Sequence, residues 1–291
     1  MPNMARLAPA TATRAIAGRL FVVGCARSGT TLLQSLFAAH PAVLSFPETA
    51  VFGRLLSANA MPGEVRLGTI HRRTQLGYRH AMALLDTMGR RDLEYILPIR
   101  SKSIGQFVDG FIALLDHLTL DEGKSWWVEK TPENVCFVPE ILELVPDAKF
   151  VNTLRDGRQN VAALYDMARK YPDRWWVRFR DLDVAIDMWN RSARHARLLL
   201  GMPGVLLIRH ERLLSETEAV MQEVCRFAGL PFTRQMFDRR VESARAVITA
   251  REPWKAEVLT PIRSGIEDKF THLFDPDQQA YIEARLEQID F

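Results

Sequence analysis

A short apolar run followed by a glycine-bounded loop and a helical pattern most strongly limits what this chain can fold into. The run is Leu20–Val23, and the loop extends from Gly24 to Gly29. Apolar residues then recur at the spacing of an α-helix, at Leu32, Leu33, Leu36 and Phe37. A strand, loop and helix in this order direct several backbone N–H groups and the helix dipole at one anion. The stretch therefore predicts an anion site at a helix that begins near Gly29.

Further short apolar runs alternate with helical patterns along the rest of the chain. They lie at 43–46, 126–128, 149–154 and 205–208, and helical patterns cover 133–144, 157–169 and 182–200. This alternation predicts an α/β fold, with a parallel β-sheet flanked by helices. Ligands of such sheets bind at the carboxyl ends of the strands. Four polar clusters follow predicted strands there, namely Arg27–Thr31, Glu48, Lys130 and Arg155–Arg158.

The domain organisation follows from length and local composition. A length of 291 residues fits one large α/β domain with an insertion. Residues 1–19 lack the apolar segment of a signal peptide, so we interpret them as a flexible leader. Residues 20–291 then form a single domain. Its residues 57–123 carry helical patterns and Arg-rich connectors, and we interpret them as a helical insertion that binds the acceptor or acts as a lid.

Composition excludes some classes of partner. The net charge of +3 is too small to argue for nucleic acid, and no apolar run reaches the length of about 20 residues that a membrane span needs. The three cysteines are scattered without metal spacing, so free thiols in a reducing, cytoplasmic compartment are expected. The amphipathic segment 182–200 suits burial against the sheet or against a second copy, which leaves a homodimer open.

The loop departs from the Walker pattern in an informative way. Its frame fits G-x-x-x-x-G-K-[ST], but Thr30 stands at the Lys position and the positive charge lies upstream at Arg27. Asp156, which follows a predicted strand, is flanked by two arginines and is a poor Mg²⁺ carboxylate. We therefore expect a phosphate-like anion held without a metal. An atypical P-loop kinase remains an alternative.

Two motifs resemble those of sulfotransferases that use 3′-phosphoadenosine 5′-phosphosulfate (PAPS). Arg27–Leu32, followed by His40-Pro41 and Pro47-Glu48, resembles their 5′-phosphosulfate loop, and Lys149–Arg158 resembles their 3′-phosphate motif. The likeness is closest to the bacterial and tyrosylprotein-type members, which carry Arg rather than Lys in the first loop. It implies a P-loop-like fold, PAPS as the donor and transfer to a hydroxyl. The acceptor, whether carbohydrate, lipid, peptide or small molecule, is left open.

The resemblance also implies roles at the transfer end of the site. The phosphosulfate contacts would come from Arg27, Ser28, Gly29, Thr30 and Thr31. Lys130 would approach the leaving oxygen, with pairing to Glu129 as the structural alternative. Glu48 would be the general base that takes the acceptor's proton, with helix capping or pairing to Arg54 as the alternative.

At the nucleoside end, Arg155 would clamp the 3′-phosphate with its planar fork. The Ser that the family usually has eight residues later is Ala163 here, so Arg158 or Asn160 would supply the second contact. His210 would lie near the adenosine or serve a structural role. Trp254 would stack on adenine or cover the loop as a surface aromatic, and Lys255 would reach the 3′-phosphate.

A nucleotide-binding protein without catalysis is the alternative from another functional class. The presence of both Glu48 and Lys130 argues against it, because binding a nucleotide requires neither residue. The leading prediction is therefore a PAPS-dependent sulfotransferase that needs no metal.

Overall fold

The structure is a computed structural model that describes residues 15–56, 67–98, 100–171, 175–247, 252–262 and 268–289. Five strands in this part of the chain form one sheet. They are β1 (Gly18–Gly24), β2 (Val43–Phe46), β3 (Trp126–Lys130), β4 (Ala148–Leu154) and β5 (Val205–Arg209). Every paired strand is parallel to its neighbour. The predicted α/β fold with a parallel sheet flanked by helices is confirmed.

The helices of the described residues connect these strands and cover both faces of the sheet. In chain order they are α1 (Thr30–Ala38), α2 (Val51–Leu56), α3 (Leu67–Met88), α4 (Ile104–Asp121), α5 (Val138–Leu144), α6 (Gly157–Lys170), α7 (Leu182–Leu198), α8 (His210–Ser215), α9 (Thr217–Ala228), α10 (Gln235–Asp238), α11 (Arg240–Val247), α12 (Lys269–Leu273) and α13 (Pro276–Glu283). Short 3₁₀ helices lie at Arg91–Ile96, Pro132–Phe137, Val177–Arg180 and Pro253–Leu259.

The strand order places the loop after β1 at the centre of the sheet. The order is β2-β3-β1-β4-β5, so the chain first builds the sheet on one side of β1 and then continues on the other side. The order of the strands reverses at β1, and in open α/β sheets ligands bind at that crevice. The loop from Gly24 to Gly29 therefore lies where a ligand site is expected.

Side chains of β1 alternate between two apolar clusters. Phe21 and Val23 pack on one face of the sheet with Trp127 of β3. Leu20 and Val22 pack on the other face with residues of α1 and α9. Because both faces are covered, the strand is a continuous apolar run rather than an alternating one.

The described part of the predicted 57–123 insertion is built into one face of the sheet. Leu84 and Leu85 of α3 and Phe107 and Phe111 of α4 belong to the same buried cluster as Phe21. The insertion thus contributes to the central core. That it also binds an acceptor or acts as a lid stays a prediction.

Element boundaries differ from the sequence interpretation at two places. The segment predicted as one helix over 133–144 is a 3₁₀ helix followed by α5, in which Pro139 occupies the first turn. Proline is tolerated at that position because its missing N–H has no intrahelical partner there. The strand β1 begins at Gly18, just inside the predicted leader, whose residues 1–14 lie outside the described part.

The segment predicted as a long amphipathic helix forms α7, which packs against α6 within the chain. Ala185, Ile186 and Trp189 of α7 are buried in one cluster with Val161 and Leu164 of α6. A homodimer stays a prediction. None of the helices in the described residues is both long and apolar enough to cross a membrane.

Candidate active site

A cavity of about 960 Å³ lies at the carboxyl ends of the strands. Its wall comes from the loop after β1, the segment after β2, the residues after β3, α6, α8 and the 252–262 segment. Among the residues singled out from the sequence, it includes Arg27, Gly29, Thr30, Thr31, Glu48, Arg155, His210, Trp254 and Lys255. Lys130 lies behind Glu48 with only 1 % of its surface exposed. The structure thus brings most of the predicted site residues together.

Ser28 holds the loop in place rather than facing the cavity. Its hydroxyl donates to the Cys25 carbonyl at 2.7 Å and lies 2.9 Å from the Thr153 hydroxyl of β4. Its backbone N–H also donates to the Cys25 carbonyl. The Ser28 hydroxyl is therefore engaged within the protein, and its contact with an anion stays a prediction. Asn160 has a similar role, because its amide donates to the Ala26 carbonyl at 3.1 Å.

The first turn of α1 opens towards the cavity through Gly29. This residue is the N-cap with a left-handed φ of 94°, and having no side chain it cannot cap the helix itself. Thr30 and Thr31 follow in the first turn. Uncapped N–H groups at a helix start are a binding site for an anion.

His210, at the start of α8, packs directly against Gly29. A Cβ added to Gly29 would lie 2.3 Å from the imidazole Nδ1. Burial, and then the charges of Arg155 and Arg27, lower the pKa of His210 to about 3, so the ring is neutral at physiological pH. Its buried Nδ1 has no hydrogen-bond partner among the described residues.

Two guanidinium groups lie side by side beneath the cavity. Arg155 donates to the Arg27 carbonyl at 3.2 Å, and burial, followed by the charge of Arg27, lowers the pKa of Arg155. Arg27 donates to Glu257 at 2.6 Å and to the Trp254 carbonyl at 3.4 Å. In both arginines the buried Nε lacks a hydrogen-bond partner within the described part of the chain. Such unsatisfied donors indicate a site for an anion.

Glu48 lies between two lysines. It forms an ion pair with Lys130, and its carboxylate is 3.0 Å from the Lys255 ammonium. Burial alone would raise the pKa of Glu48, but the two positive charges outweigh it and lower that pKa to about 2. Burial lowers the pKa of Lys130. The pKa of Lys255 is raised, because Glu48 and Glu252 outweigh the effect of burial.

The pairings that the sequence left open as structural alternatives are not the ones formed. Arg54 donates to His80 at 3.3 Å rather than to Glu48. Lys130 pairs with Glu48 rather than with Glu129, since neighbouring residues of a strand point to opposite faces. The carboxylate of Glu129 accepts hydrogen bonds from Thr49 and Thr131 instead.

Two residues, Arg158 and Lys255, differ in position from their predicted roles. Arg158 lines a second cavity of about 430 Å³, whose wall also includes Arg155, and pairs with Asp156 and Glu283. Lys255, predicted to reach the 3′-phosphate, instead has its ammonium on Glu48 and Glu252. Trp254 lines the main cavity but also packs edge-to-face against Trp176, with ring centroids 5.6 Å apart. Ala163, at the usual Ser position, lines the main cavity as well.

The sequence interpretation missed five charged residues of the cavity wall, Glu133, Arg191, Arg240, Glu257 and Lys269. Burial, and then the charge of Glu48, raise the pKa of Glu133. Its place directly after Lys130-Thr131-Pro132 was a usable signal. Lys269 pairs with Asp166 at 3.0 Å, and neither it nor Glu257 belongs to a recognisable motif. Only the fold of the C-terminal segment brings these two residues to the site.

Comparison with known proteins shows to which family this chain belongs. The model of the sulfotransferase family matches residues 19–234, which include β1 to β5 and most of the cavity wall. The chain belongs to the sulfotransferase family.

Individual relatives are distant. A protein-tyrosine sulfotransferase of Drosophila melanogaster is 23% identical over 224 residues, which cover 73% of this chain and 38% of that protein. Protein-tyrosine sulfotransferase 1 of Danio rerio is 25% identical over 218 residues, covering 73% of this chain and 53% of that protein. The chain thus spans about two fifths to half the length of these relatives.

Solved structures share the fold. The sulfotransferase domain of the Synechococcus PCC 7002 olefin synthase superposes with a TM-score of 0.59 at 18% identity, covering 93% of this chain and 96% of that one. The sulfotransferase domain from the curacin biosynthetic pathway gives a TM-score of 0.58 at 20% identity, with 93% and 97% covered.

Three glycine-to-alanine substitutions separate the two constraints on Gly29, which are its left-handed backbone conformation and its close contact with His210. Gly29→Ala combines a left-handed φ with a 2.3 Å clash, whereas Gly89→Ala has a φ of 66° in open space and Gly53→Ala has neither constraint. We expect Gly53→Ala to be neutral or slightly stabilising and Gly89→Ala to cost about 1 kcal/mol. Gly29→Ala should cost clearly more than Gly89→Ala. Urea unfolding measures all three, and equal costs at 29 and 89 would refute the packing of His210 on the loop.

His210 should make stability depend on pH. Its pKa is about 3 when folded against 6.5 as the reference, so the unfolded chain takes up the proton first as the pH falls. The free energy of unfolding should therefore decrease from pH 7 to pH 5, by about 2 kcal/mol from this residue. His210→Gln should flatten the pH dependence by that amount in urea titrations.

Proposed function

We propose that this chain transfers a sulfuryl group from PAPS to a hydroxyl acceptor, with Glu48 as the general base. The observation that carries the proposal is a cavity at the switch point of the sheet that is lined by Arg27, Arg155 and Lys255. In the same cavity the carboxylate of Glu48 pairs with Lys255 and with the buried Lys130. A site for an anionic donor needs the cations. Deprotonation of an acceptor needs the carboxylate.

The residues at the base of the cavity fit the donor. The buried Nε atoms of Arg27 and Arg155 lack partners among the described residues, and the first turn of α1 adds backbone N–H groups. A guanidinium offers a planar pair of donors to a phosphate, which suits Arg155 to the 3′-phosphate. Trp254 offers an aromatic face for adenine. The donor would supply an activated sulfuryl group on a phosphate leaving group.

Lys130 and Arg27 act on the charge that transfer creates. Sulfuryl transfer resembles phosphoryl transfer, in which the leaving phosphate gains negative charge. Fixed donors aimed at that charge stabilise the transition state because they need no reorganisation. Lys130 provides a compact ammonium group, and Arg27 provides a planar guanidinium group. Lys255 is close to Lys130 because both lysines pair with Glu48. We also propose that the transfer needs no metal ion.

The two lysines regulate how basic Glu48 is. A carboxylate with a pKa of about 2 takes a proton poorly. When Lys130 donates a hydrogen bond to a phosphate, it donates one fewer to Glu48. The pKa of Glu48 then rises. The base is therefore expected to strengthen when the donor is held, which couples deprotonation of the acceptor to the presence of the donor.

Glu133 is the second candidate for the base. It lines the same cavity, and burial raises rather than lowers the pKa of its carboxyl group. A base with a raised pKa accepts a proton more readily near neutral pH. The two carboxylates are therefore tested together.

Ligand-induced stabilisation tests the class of donor. Adenosine 3′,5′-bisphosphate at 100 times its Kd should add about 2.7 kcal/mol, which corresponds to roughly 5–10 °C in Tm for a chain of this size. Arg155→Met should abolish most of this shift, and Arg158→Met should preserve it because Arg158, unlike Arg155, does not line the main cavity. ATP with Mg²⁺ is the comparison ligand. Stabilisation by ATP with Mg²⁺ alone would favour the kinase alternative.

Paired glutamine substitutions identify the base. Glu48→Gln should lower kcat by at least about 100-fold, the usual contribution of a general base, while bisphosphate binds equally well or more tightly because a negative charge is lost beside Lys130. Glu133→Gln should change kcat by less than threefold. Labelled PAPS with 4-nitrophenol, a tyrosine peptide, a sugar and a fatty alcohol provides the assay. The reverse pattern would assign the base to Glu133, and binding without any transfer would favour the non-catalytic alternative.

A further inference from the structure

We propose that Glu129 is a positioning residue that holds Glu48 and Lys130 in their reactive arrangement. The inference rests on the proposed function, because it concerns the same two residues. Glu129 itself does not line the cavity wall in the described structure, and it acts through the backbone on either side of it.

The carboxylate of Glu129 is fully buried and accepts four hydrogen bonds. Its Oε1 accepts from the Thr49 backbone N–H at 3.1 Å, from the Thr49 hydroxyl at 2.9 Å and from the Thr131 hydroxyl. Its Oε2 accepts from the Asn134 amide at 3.2 Å. Every partner is a donor, so both carboxyl oxygens of Glu129 act as acceptors.

These partners are the chain neighbours of the two reactive residues. Thr49 directly follows Glu48, and Lys130 lies between Glu129 and Thr131. In the sheet Glu129 is the register partner of Phe46, the last residue of β2. One carboxylate therefore fixes the segment that leaves β2 relative to the segment that leaves β3. The Glu48–Lys130 ion pair forms between those two segments.

The turn after Glu48 needs such a restraint. Ala50 has a left-handed φ of 51°, which is unfavourable for a residue with a side chain. Its N–H donates to the Thr131 hydroxyl at 3.2 Å, and the Thr49 carbonyl lies 3.0 Å from Nδ1 of His80. Strained backbone persists only where its surroundings hold it from several sides. The hydrogen bonds to Glu129 and Thr131 are the part of that restraint that also reaches Lys130.

A buried carboxyl group in this place is unlike a purely structural contact. Burial raises the pKa of Glu129, whereas its hydrogen bonds from Thr131 and Thr49 oppose that effect. An apolar residue would cover the same core surface without needing donors. The carboxyl group of Glu129 packs in the core, and its two oxygens also fix the orientation of Thr49, Thr131 and Asn134.

Glu129→Asp tests the inference because it keeps the charge and withdraws the carboxylate by one methylene. We expect kcat to fall at least tenfold, while Kd for adenosine 3′,5′-bisphosphate changes by less than threefold, since Arg27 and Arg155 are untouched. A looser Glu48–Lys130 contact also raises the pKa of Glu48, so the acidic limb of the kcat profile should move to higher pH.

Thr119→Val is the matched control for stability. The Thr119 hydroxyl is fully buried in α4 and donates to the Leu115 carbonyl at 2.7 Å, away from the cavity wall. This variant should lower Tm without altering kcat or its pH profile. All assays use the full chain at a temperature well below the Tm of each variant, so that only folded protein is compared.

The outcomes separate the inference from the proposed function. A kcat for Glu129→Asp within twofold of wild type, with an unchanged pH profile, would overturn the positioning role. If Glu129→Asp does not fold, Thr49→Val removes one of the same hydrogen bonds and is judged by the same criteria. Failure of the wild-type chain to bind bisphosphate or to transfer sulfate would instead refute the proposed function.

Discussion

The ion pair between Lys130 and Glu48 is the interaction on which the rest of the site depends. A lysine with 1 % exposure keeps its charge inside a protein only if an opposite charge and hydrogen bonds compensate for lost water. Glu48 provides both, and it can do so only because β2 and β3 are adjacent in the sheet. The order of the strands therefore determines which two residues form this ion pair. Removing Glu48 would leave Lys130 as an uncompensated buried charge, whereas removing Lys130 would leave Glu48 paired with Lys255.

The same balance of charge extends across the cavity. Arg27 is paired with Glu257, and Lys255 with Glu48 and Glu252. These carboxylates come from the segment after β2 and from the 252–262 segment, whereas the cations come largely from the ends of the central strands. The cations are thus held close together before any ligand adds negative charge. An anionic ligand exchanges partners with existing carboxylates rather than drawing cations out of solvent.

The strands and the loop could be predicted from the sequence because their signals are local. The run 43–46 forms β2 with the predicted limits, and the helix after the loop begins at Thr30 beside Gly29. A parallel sheet also guarantees that residues at strand ends share one edge. That is why Arg27, Glu48, Lys130 and Arg155 could be grouped before any coordinates were known.

The direction of each side chain could not be predicted in the same way. Ser28 looked like an anion ligand, but its hydroxyl bonds to Thr153 on another strand. Arg158 begins a helix next to Arg155 yet faces a different cavity. Glu133 and Lys269 enter the wall because of how the segments after β3 and before α13 pack. These outcomes depend on contacts between distant parts of the chain, which residue types and spacing do not encode.

The contact between Gly29 and His210 has a consequence for how the protein is made. The loop that would hold the donor emerges early in synthesis, but the imidazole that lies against it follows β5, the last strand of the described sheet. A nascent chain that has only its first four strands cannot complete the floor of the cavity. An N-terminal fragment would carry the recognisable motifs without an assembled site. Affinity for the proposed donor would therefore arise late and would report that both halves of the sheet have docked, so the bisphosphate would serve as a probe of correct folding.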